Sequence, residues 1–245
     1  MKRDDPLDNR LRAEQAEYRH QTAKLGKAPD RKEWRMTPQT VNAVQLPLQN
    51  AMNFPAAILE APFFDPKADD AANYGAIGAV IGHEVSHGCD DLGSEFDAEG
   101  RLRNWWTPQD AAHFKAATDK LMAQYNGYEA LPGLTLNDEQ TLGESIADVA
   151  GLQAAYTAYH ASLDGKPAPV IDGLTGDERF FLAFAQAWRA KFRCESLRAQ
   201  VIGGGHPPAR WRALTVRNID AWYETFKVPD TATLYLTPEE RVKIW

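Results

Sequence analysis

The chain has 245 residues, of which 44% are hydrophobic and 25% are charged, and its formal net charge is −7. A chain of this length can bury a sizeable core, and the composition is ordinary for a globular protein. The negative charge argues against binding to nucleic acid or to an anionic membrane, and two cysteines, Cys89 and Cys194, are too few for a disulfide framework.

The N-terminus lacks the apolar stretch that is typical of a signal peptide. The longest uncharged apolar run, residues 74–82, is much shorter than the roughly 20 residues that span a bilayer, so we expect no membrane segment. If Met1 is the native start, a cytoplasmic location is expected. If the chain was trimmed from a longer precursor, a periplasmic or secreted location is expected instead.

The first part of the chain predicts an exposed helix followed by two short strands. Residues 7–25 are rich in Arg, Glu, Gln and Ala, which favours a surface helix. Residues 40–46 and 51–54 predict strands on either side of a turn. This pair is either a plain structural hairpin, which the spacing alone favours, or an extended edge that pairs with a bound peptide. Residues 55–66 form an irregular apolar stretch that is expected to pack onto the core.

The rest of the chain is predicted to be mainly helical. Apolar patterns and capping residues predict helices over residues 68–91, 107–125, 138–163, 177–193 and 210–226. Residues 131–137 and 203–208 predict non-helical connections, and Trp105 and Trp106 are expected to anchor the core. The predicted fold class is mainly α with a small β-sheet, formed by a single domain over residues 1–245.

The segment His83-Glu84-Val85-Ser86-His87 lies within the predicted helix 68–91. Residues four apart share a helix face, so His83 and His87 can direct two imidazoles at one metal ion. Glu84 can reach a metal-bound water without being a ligand, which is the pattern of a zinc hydrolase. The alternative is a pair of hydrogen-bonded core histidines, but this spacing around a glutamate favours metal binding.

A zinc site of this kind requires a third protein ligand and an open position for water. No histidine follows His87 at the spacing used by peptidases with a third histidine ligand, which leaves a glutamate from a second helix. Glu144 lies among apolar and small residues of the predicted helix 138–163, where an unpaired carboxylate would be costly. Asp148, one turn further on, or Asp90 can hydrogen-bond the far nitrogen of a ligating histidine. The alternative for Glu144 and Asp148 is a solvated helix face.

From about Asp30 to Trp245 the chain resembles the neprilysin and endothelin-converting-enzyme family of zinc metallopeptidases. The matching motifs, in chain order, are Val41-Asn42-Ala43, Phe-Pro-Ala-x-Ile-Leu-x-x-Pro-Phe-Phe at 54–64, Asn73-Tyr74-Gly75, Val80-Ile81-Gly82-His83-Glu84-x-x-His87-Gly88-x-Asp90-Asp91, Trp105-Trp106, Gly143-Glu144-x-Ile146-Ala147-Asp148 and the spacing from His206 to Arg212. The resemblance implies a thermolysin-like (gluzincin) catalytic domain that binds one zinc ion per chain and hydrolyses peptides.

The resemblance also implies catalytic roles for individual residues. His83, His87 and Glu144 are implied to be the zinc ligands, and Glu84 the general base that activates water. The other implied members of the site are the hydrogen-bond partners of the histidines, Asp90 and Asp148, and two cationic side chains that oppose developing negative charge, His206 and Arg212.

Substrate contacts are implied in the same way. Asn42 and Ala43 are implied to anchor the substrate on an extended edge, which reverses the preference for a plain hairpin, and Arg212 to bind a substrate main-chain carbonyl. The pocket for the side chain just after the scissile bond is implied to consist of Ile58, Phe63, Val80 and Trp188. Family members cut on the amino side of bulky apolar residues. Ala79 and Ala187 stand where neprilysin has larger residues, so a roomier pocket is expected.

The chain also departs from the family, whose members are much longer. Their N-terminal half forms a lobe that covers the active site, and we expect that lobe to be absent here, so that longer polypeptides are accepted. The expected function is a zinc endopeptidase or oligopeptidase that works by Glu84-assisted attack of a zinc-bound water. The alternative is a zinc-stabilised partner subunit that is inactive without a missing lobe or a second chain. A homo-oligomer is compatible with either hypothesis.

Overall fold

A computed structural model describes residues 1–244, which belong to two compact units, Met1–Glu33 and Trp34–Trp245. The first unit contains helix α1, Pro6–Thr22, whose first turn donates a hydrogen bond to the side chain of Asp5. No residue of α1 is buried, which confirms the predicted exposed helix, although the helix ends before its predicted boundary.

The second unit is mainly helical, with two short antiparallel hairpins. Its strands are β1 Val44–Leu46, β2 Ala51–Asn53, β3 Glu129–Leu131 and β4 Leu134–Thr135. Its helices are α2 Asp70–Asn73, α3 Ala79–Ser86, α4 Pro108–Asn126, α5 Leu142–Ser162, α6 Gly176–Ala187, α7 Cys194–Gly203, α8 Ala209–Ala213 and α9 Asp220–Phe226. No helix within residues 1–244 is both long and apolar enough to cross a membrane. The mainly α prediction with a small β element is confirmed.

The predicted hairpin is present but shorter than expected. Strands β1 and β2 pair with Val44 opposite Asn53 and Leu46 opposite Ala51. The first strand therefore begins at Val44 rather than at residue 40, and the two residues before it, Asn42 and Ala43, continue toward the hairpin outside the ladder.

The motif helix is built in three parts. Helix α2 continues through a turn of π-helix, Tyr74–Gly78, into α3, which ends at Ser86. The predicted range of 68–91 was therefore too long. The physical reason is Asp90, because its Oδ1 accepts hydrogen bonds from the backbone N–H groups of the two residues after Asp91 and holds the chain in a turn.

Helix α5 lies at the centre of the second unit, between two apolar clusters. Leu152, Ala155 and Tyr159 of α5 pack into one cluster. Ile146 and Val149 of α5 pack into the other. The first cluster is completed mainly by aromatic residues of α6, and the second by residues of α4 and by the chain after α9. Because α5 is packed on both sides, side chains near its N-terminus have fixed positions.

Helix α6 ends at Ala187, so the predicted helix 177–193 was too long and α7, which follows, was not predicted. Residues 189–193 contain no Gly or Pro that would mark the end of a helix. The chain leaves the helix at Trp188, whose φ of −93° and ψ of 8° are outside the helical range. The guanidinium carbon of Arg212 lies 4.0 Å from the centroid of the Trp188 ring. No local pattern in the sequence predicts this tertiary contact.

Two other expectations were wrong. The predicted connector 131–137 contains strand β4 and the end of β3, joined at Gly133, whose positive φ of 73° suits a Pro-Gly turn. Trp105 was expected to anchor the core but is 48% exposed. Trp106 is half-buried and packs against an aromatic ring of α4, with ring centroids 5.0 Å apart.

Candidate active site

His83 and His87 project from α3 toward Glu144 on α5. The two Nε2 atoms are 3.0 Å apart, and Glu144 carboxylate oxygens lie 3.2 Å from that of His83 and 3.7 Å from that of His87. One ligand atom from each residue lies within 4.8 Å of the others. Two imidazole nitrogens and one carboxylate oxygen are a donor set that suits zinc.

The hydrogen bonds of the two histidines show that this donor set fits a cation. Nδ1 of His83 lies 2.8 Å from Asp148 Oδ1, and Nδ1 of His87 lies 2.6 Å from Asp90 Oδ2. A carboxylate only accepts hydrogen bonds, so each Nδ1 carries a proton and each neutral ring has its lone pair on Nε2. Two lone pairs that face each other beside a carboxylate are stable only with a proton or a metal ion among them.

The pKa values of His83 and Glu144 reflect these contacts. Burial would lower the pKa of His83, but hydrogen bonds to Asp148 and Glu144 outweigh it and raise the pKa to about 9. Burial would raise the pKa of Glu144, but the hydrogen bond with His83 and the charge of Arg212 hold that pKa below its usual value. A proton and a metal ion compete for the same His83 lone pair, so metal binding would release the proton.

Two glycines bring α3 and α5 close enough for these contacts. A Cβ atom at Gly82 would lie 2.5 Å from the carbonyl oxygen of Gly151, and a Cβ at Gly151 would lie 2.3 Å from the backbone nitrogen of His83. Either contact is shorter than real side chains tolerate. The two helices therefore cross backbone to backbone beside the first histidine.

Glu84 lies next to this centre but outside the group of converging ligand atoms. Its side chain is buried and lines the same cleft. Burial raises the pKa of Glu84, while the charges of His83 and His87 and a hydrogen bond from the backbone of Gln45 in β1 lower it in part. A carboxylate with a raised pKa near a metal-binding centre is suited to exchange protons with water.

Arg212 and Asp148 form a buried ion pair beside the centre. Arg212 donates from Nε to Asp148 Oδ2 at 2.8 Å and from Nη2 to Oδ1 at 2.7 Å. Burial would raise the pKa of Asp148, but the charge and hydrogen bonds of Arg212 hold it well below the usual range. The guanidinium also lies flat over Trp188 and 3.4 Å from Glu144 Oε2. Asp148 thus orients both His83 and Arg212.

His206 approaches the centre from the loop before α8. Its Nε2 lies 3.2 Å from Glu144 Oε1, while its side chain is 54% exposed at the mouth of the cleft. Partial burial lowers the pKa of His206. In either protonation state the ring of His206 can offer an N–H donor at the mouth of the cleft.

All of the residues that the sequence assigned to the site line one cleft of about 480 Å³. The ones not yet described are Asn42, Ala43, Ile58, Phe63 and Val80, together with the two small residues Ala79 and Ala187. Phe184 also lines the cleft and was not predicted. It lies one turn before Trp188 on α6, so the i, i+4 spacing could have identified it.

Residues 42–242 match the profile of peptidase family M13. The chain belongs to this family. It is 38% identical over 243 residues to endothelin-converting enzyme 1 of Rattus norvegicus, and the matched region covers 98% of this chain and 32% of that protein. It is 36% identical over 227 residues to neprilysin-3 of Drosophila melanogaster, covering 91% of this chain and 28% of that protein.

Solved structures of family M13 proteins share the fold. The zinc metalloprotease Zmp1 of Mycobacterium tuberculosis, in complex with an inhibitor, superimposes with a TM-score of 0.93 at 47% identity, over 99% of this chain and 38% of that one. PepO from Lactobacillus rhamnosis HN001 gives a TM-score of 0.80 at 36% identity, over 90% of this chain and 34% of that one. The M13 chain described here spans about a third of the length of these relatives.

Proposed function

We propose that this chain is a zinc-dependent endopeptidase that cuts on the amino side of bulky apolar residues. The observation that carries the proposal is the convergence of His83, His87 and Glu144 beside the separate carboxylate of Glu84. Three ligands leave one position open for water, and a neighbouring carboxylate can act as a base. The names of the relatives, which include endothelin-converting enzyme 1 and zinc metalloprotease Zmp1, support the same activity.

In this proposal His83, His87 and Glu144 hold the zinc ion, one per chain. The bound ion supplies a Lewis acid that polarises the scissile carbonyl and acidifies a water molecule. Glu84 accepts a proton from the attacking water and delivers it to the leaving amine, a transfer that its raised pKa favours. Asp90 and Asp148 keep the two histidine rings in the tautomer whose Nε2 faces the centre.

His206 and Arg212 are proposed to stabilise the negative charge that develops on the substrate. His206 Nε2 lies 3.2 Å from Glu144 Oε1, so its ring N–H can turn toward an oxygen held at the same centre. Asp148 engages the Nε and Nη2 atoms of Arg212. Arg212 can therefore offer Nη1 to a substrate main-chain carbonyl from a fixed position.

The apolar part of the cleft is proposed to receive the side chain just after the scissile bond. Its walls are Ile58, Phe63, Val80, Phe184 and Trp188. Ala79 and Ala187 line the same space and leave room for Phe or Leu. We propose that two residues just before β1, the exposed Asn42 and the backbone of Ala43, hydrogen-bond the peptide main chain.

The test is to map the cuts made by the zinc-loaded chain in a mixture of unmodified peptides by mass spectrometry. We expect Phe, Leu and other bulky apolar residues after most cuts, and no cleavage after the metal is chelated. An Ala187→Leu variant should shift the preference toward smaller residues because it fills the pocket. Cuts that ignore the following residue, or that survive chelation, would overturn the proposal.

A second candidate function is a zinc-stabilised subunit that is inactive without a further lobe or a second chain. The observation in its favour is the length of the relatives, of which this chain covers about a third. Zinc binding at one ion per chain without cleavage of any peptide would support this candidate over the first.

A further inference from the structure

A group of unpaired cations follows directly on the cleft wall. Arg189, Lys191 and Arg193 lie in the non-helical stretch between α6 and α7 and are all exposed; we call them the cationic segment. No ion pair involves any of the three among residues 1–244. These three exposed cations give a local positive charge in a chain whose net charge is −7.

The cationic segment continues from the residues that form the proposed pocket. Ala187 and Trp188 line the cleft, and Arg189 donates its backbone N–H to the carbonyl of Gln186 at 3.1 Å as the helix ends. Arg193, at the far end, has the extended backbone angles φ −73° and ψ 151°. The segment can span up to about 17 Å when extended, which is the length of several substrate residues.

The charges that line the cleft are mainly negative, in contrast to the cationic segment. Glu84, Glu144 and Asp90 are carboxylates that line the cleft, and Asp148 offsets the charge of Arg212. The net charge of −7 would repel an acidic substrate, although a bound zinc ion would offset two of the cleft carboxylates. The exposed cations that follow Trp188 in the chain provide a positive field next to the wall of the pocket.

We propose that the cationic segment binds a carboxylate of the substrate on the carboxyl side of the scissile bond. This inference rests on the proposed peptidase function, because it places the segment beyond the pocket for the residue after the cut. The carboxylate has two possible sources: an Asp or Glu side chain a few residues past the cut, or the free C-terminus of a short peptide. The segment is thus a specificity determinant added to the apolar pocket.

The experiment uses four peptides that differ only in charge on the carboxyl side of the intended cut. The third residue after the bond is Glu or Gln, and the C-terminus is a free acid or an amide. Their dissociation constants are measured by fluorescence anisotropy on zinc-loaded Glu84→Gln protein, which prevents turnover. The segment is neutralised in the triple variant Arg189→Gln, Lys191→Gln and Arg193→Gln.

The matched control is the triple variant Lys67→Gln, Lys166→Gln and Lys227→Gln, which removes the same net charge from exposed positions that do not line the cleft. We expect a carboxylate to tighten binding about fivefold, with this gain lost in the cationic-segment variant, kept in the control and reduced at about 0.5 M salt. A gain from Glu but not from the free C-terminus identifies a side-chain site, and the reverse identifies a terminal one.

An equal gain in both triple variants, an equal loss in both, or no gain from any carboxylate would overturn the inference. Cleavage of the neutral peptide distinguishes a failure of this inference from a failure of the peptidase proposal. If the wild-type chain cleaves the neutral peptide and carboxylates bring no gain, only the inference fails. If no peptide is cleaved but the gain depends on the cationic segment, the peptidase proposal fails and carboxylate binding by the segment alone is upheld.

Discussion

Asp148 connects two parts of the site, since it touches both a histidine ligand and the buried arginine. Its Oδ1 lies 2.8 Å from His83 Nδ1 and 2.7 Å from Arg212 Nη2, and its Oδ2 accepts from Arg212 Nε. The group is only 3% exposed, so water cannot replace these contacts. One carboxylate therefore fixes the tautomer of His83 and compensates a buried charge.

We expect Asp148→Asn to lower the free energy of unfolding by about 3–5 kcal/mol, because it leaves Arg212 charged, buried and unpaired. Zinc affinity should fall about 10- to 100-fold, since the hydrogen bond that orients His83 is weakened. The two effects are measured by urea unfolding and by competition with a chelator of known affinity.

The matched control for this prediction is Asp220→Asn. Asp220 also contacts two cations, Arg241 at 2.8 Å and Lys243 at 2.7 Å, but its side chain is 43% exposed, so water can take its place beside Arg241, whose side chain is 8% exposed. A partly exposed pair contributes about 1 kcal/mol or less, and zinc affinity should not change. If Asp148→Asn were no more damaging than Asp220→Asn, the assigned role of Asp148 would be wrong.

Residues near one another in the chain could be assigned from local patterns. The spacing of His83 and His87 predicts a shared helix face, and Asp148 follows Glu144 by one helical turn. His206 and Arg212 have no such signal, because they reach Glu144 and Asp148 across more than fifty residues of chain. Only the resemblance to a known family identified them in the sequence.

At the scale of the elements, the crossing of α3 and α5 decides whether the ligands meet. Gly151 lies where a Cβ would be 2.3 Å from the backbone nitrogen of His83. Gly78, at the junction of the π turn and α3, has its nearest neighbour at 3.5 Å, which is an ordinary contact. Replacing each of the two glycines by alanine therefore separates the effect of helix propensity from the effect of close packing.

We expect Gly151→Ala to lower the free energy of unfolding by about 1–3 kcal/mol and to weaken zinc binding, because α3 must move away from α5. Gly78→Ala should raise stability by up to about 1 kcal/mol and leave zinc binding unchanged, since alanine favours a helix more than glycine does. Thermal unfolding and zinc titration of both variants test the prediction. Equal behaviour of the two would show that the close crossing is not required.

Asp138, just before α5, is fully buried and accepts hydrogen bonds from Thr141 at 2.8 Å and from Ser145 at 2.6 Å. Its second oxygen, Oδ2, has no hydrogen-bond partner among the described residues. Burial raises the pKa of Asp138 to about 6, although the two hydroxyl donors oppose the shift. The folded state therefore retains a proton that the unfolded chain would release.

This raised pKa predicts a pH dependence of stability. The contribution of Asp138 is greatest below its unfolded pKa near 4 and is lost as pH rises through about 6, a loss of about 3 kcal/mol. Asp138→Asn lacks that loss, so its stability relative to wild type should improve between about pH 4 and pH 7. Urea unfolding of both proteins in the presence of a chelator measures the difference. A difference that does not change with pH would contradict the assigned pKa.

Helix ends show where sequence-based prediction of the elements fails. Thr107 and Thr175 form capping boxes, so the starts of α4 and α6 were predicted to within one residue. The end of α6 at Ala187 and the start of α7 were not, because no Gly or Pro stops α6 and Arg193 forms no side-chain cap for α7. Local signals place caps well, but tertiary contacts decide where an uncapped helix stops.

At the scale of the whole molecule, the cleft combines parts of the chain that are far apart. The free edge before β1, the helices α3, α5 and α6, and the loop before α8 each contribute to its lining. The composition predicted none of this arrangement, whereas every residue that the resemblance to the family assigned to the site lines the cleft, together with neighbours that were not predicted, such as Phe184. Membership in family M13 and the fold of its solved members confirm the predicted family and fold class.

The most direct test of the account compares the zinc-loaded chain with its Glu84→Gln variant on a quenched peptide that carries Phe after the intended bond. Both proteins should bind one zinc ion, since Glu84 is not among the converging ligands. The wild type should cleave the peptide, and the variant should be about 10²- to 10⁴-fold slower because the proton acceptor is lost. Equal cleavage by both, or no cleavage by the wild type with one zinc ion bound, would contradict the proposed function.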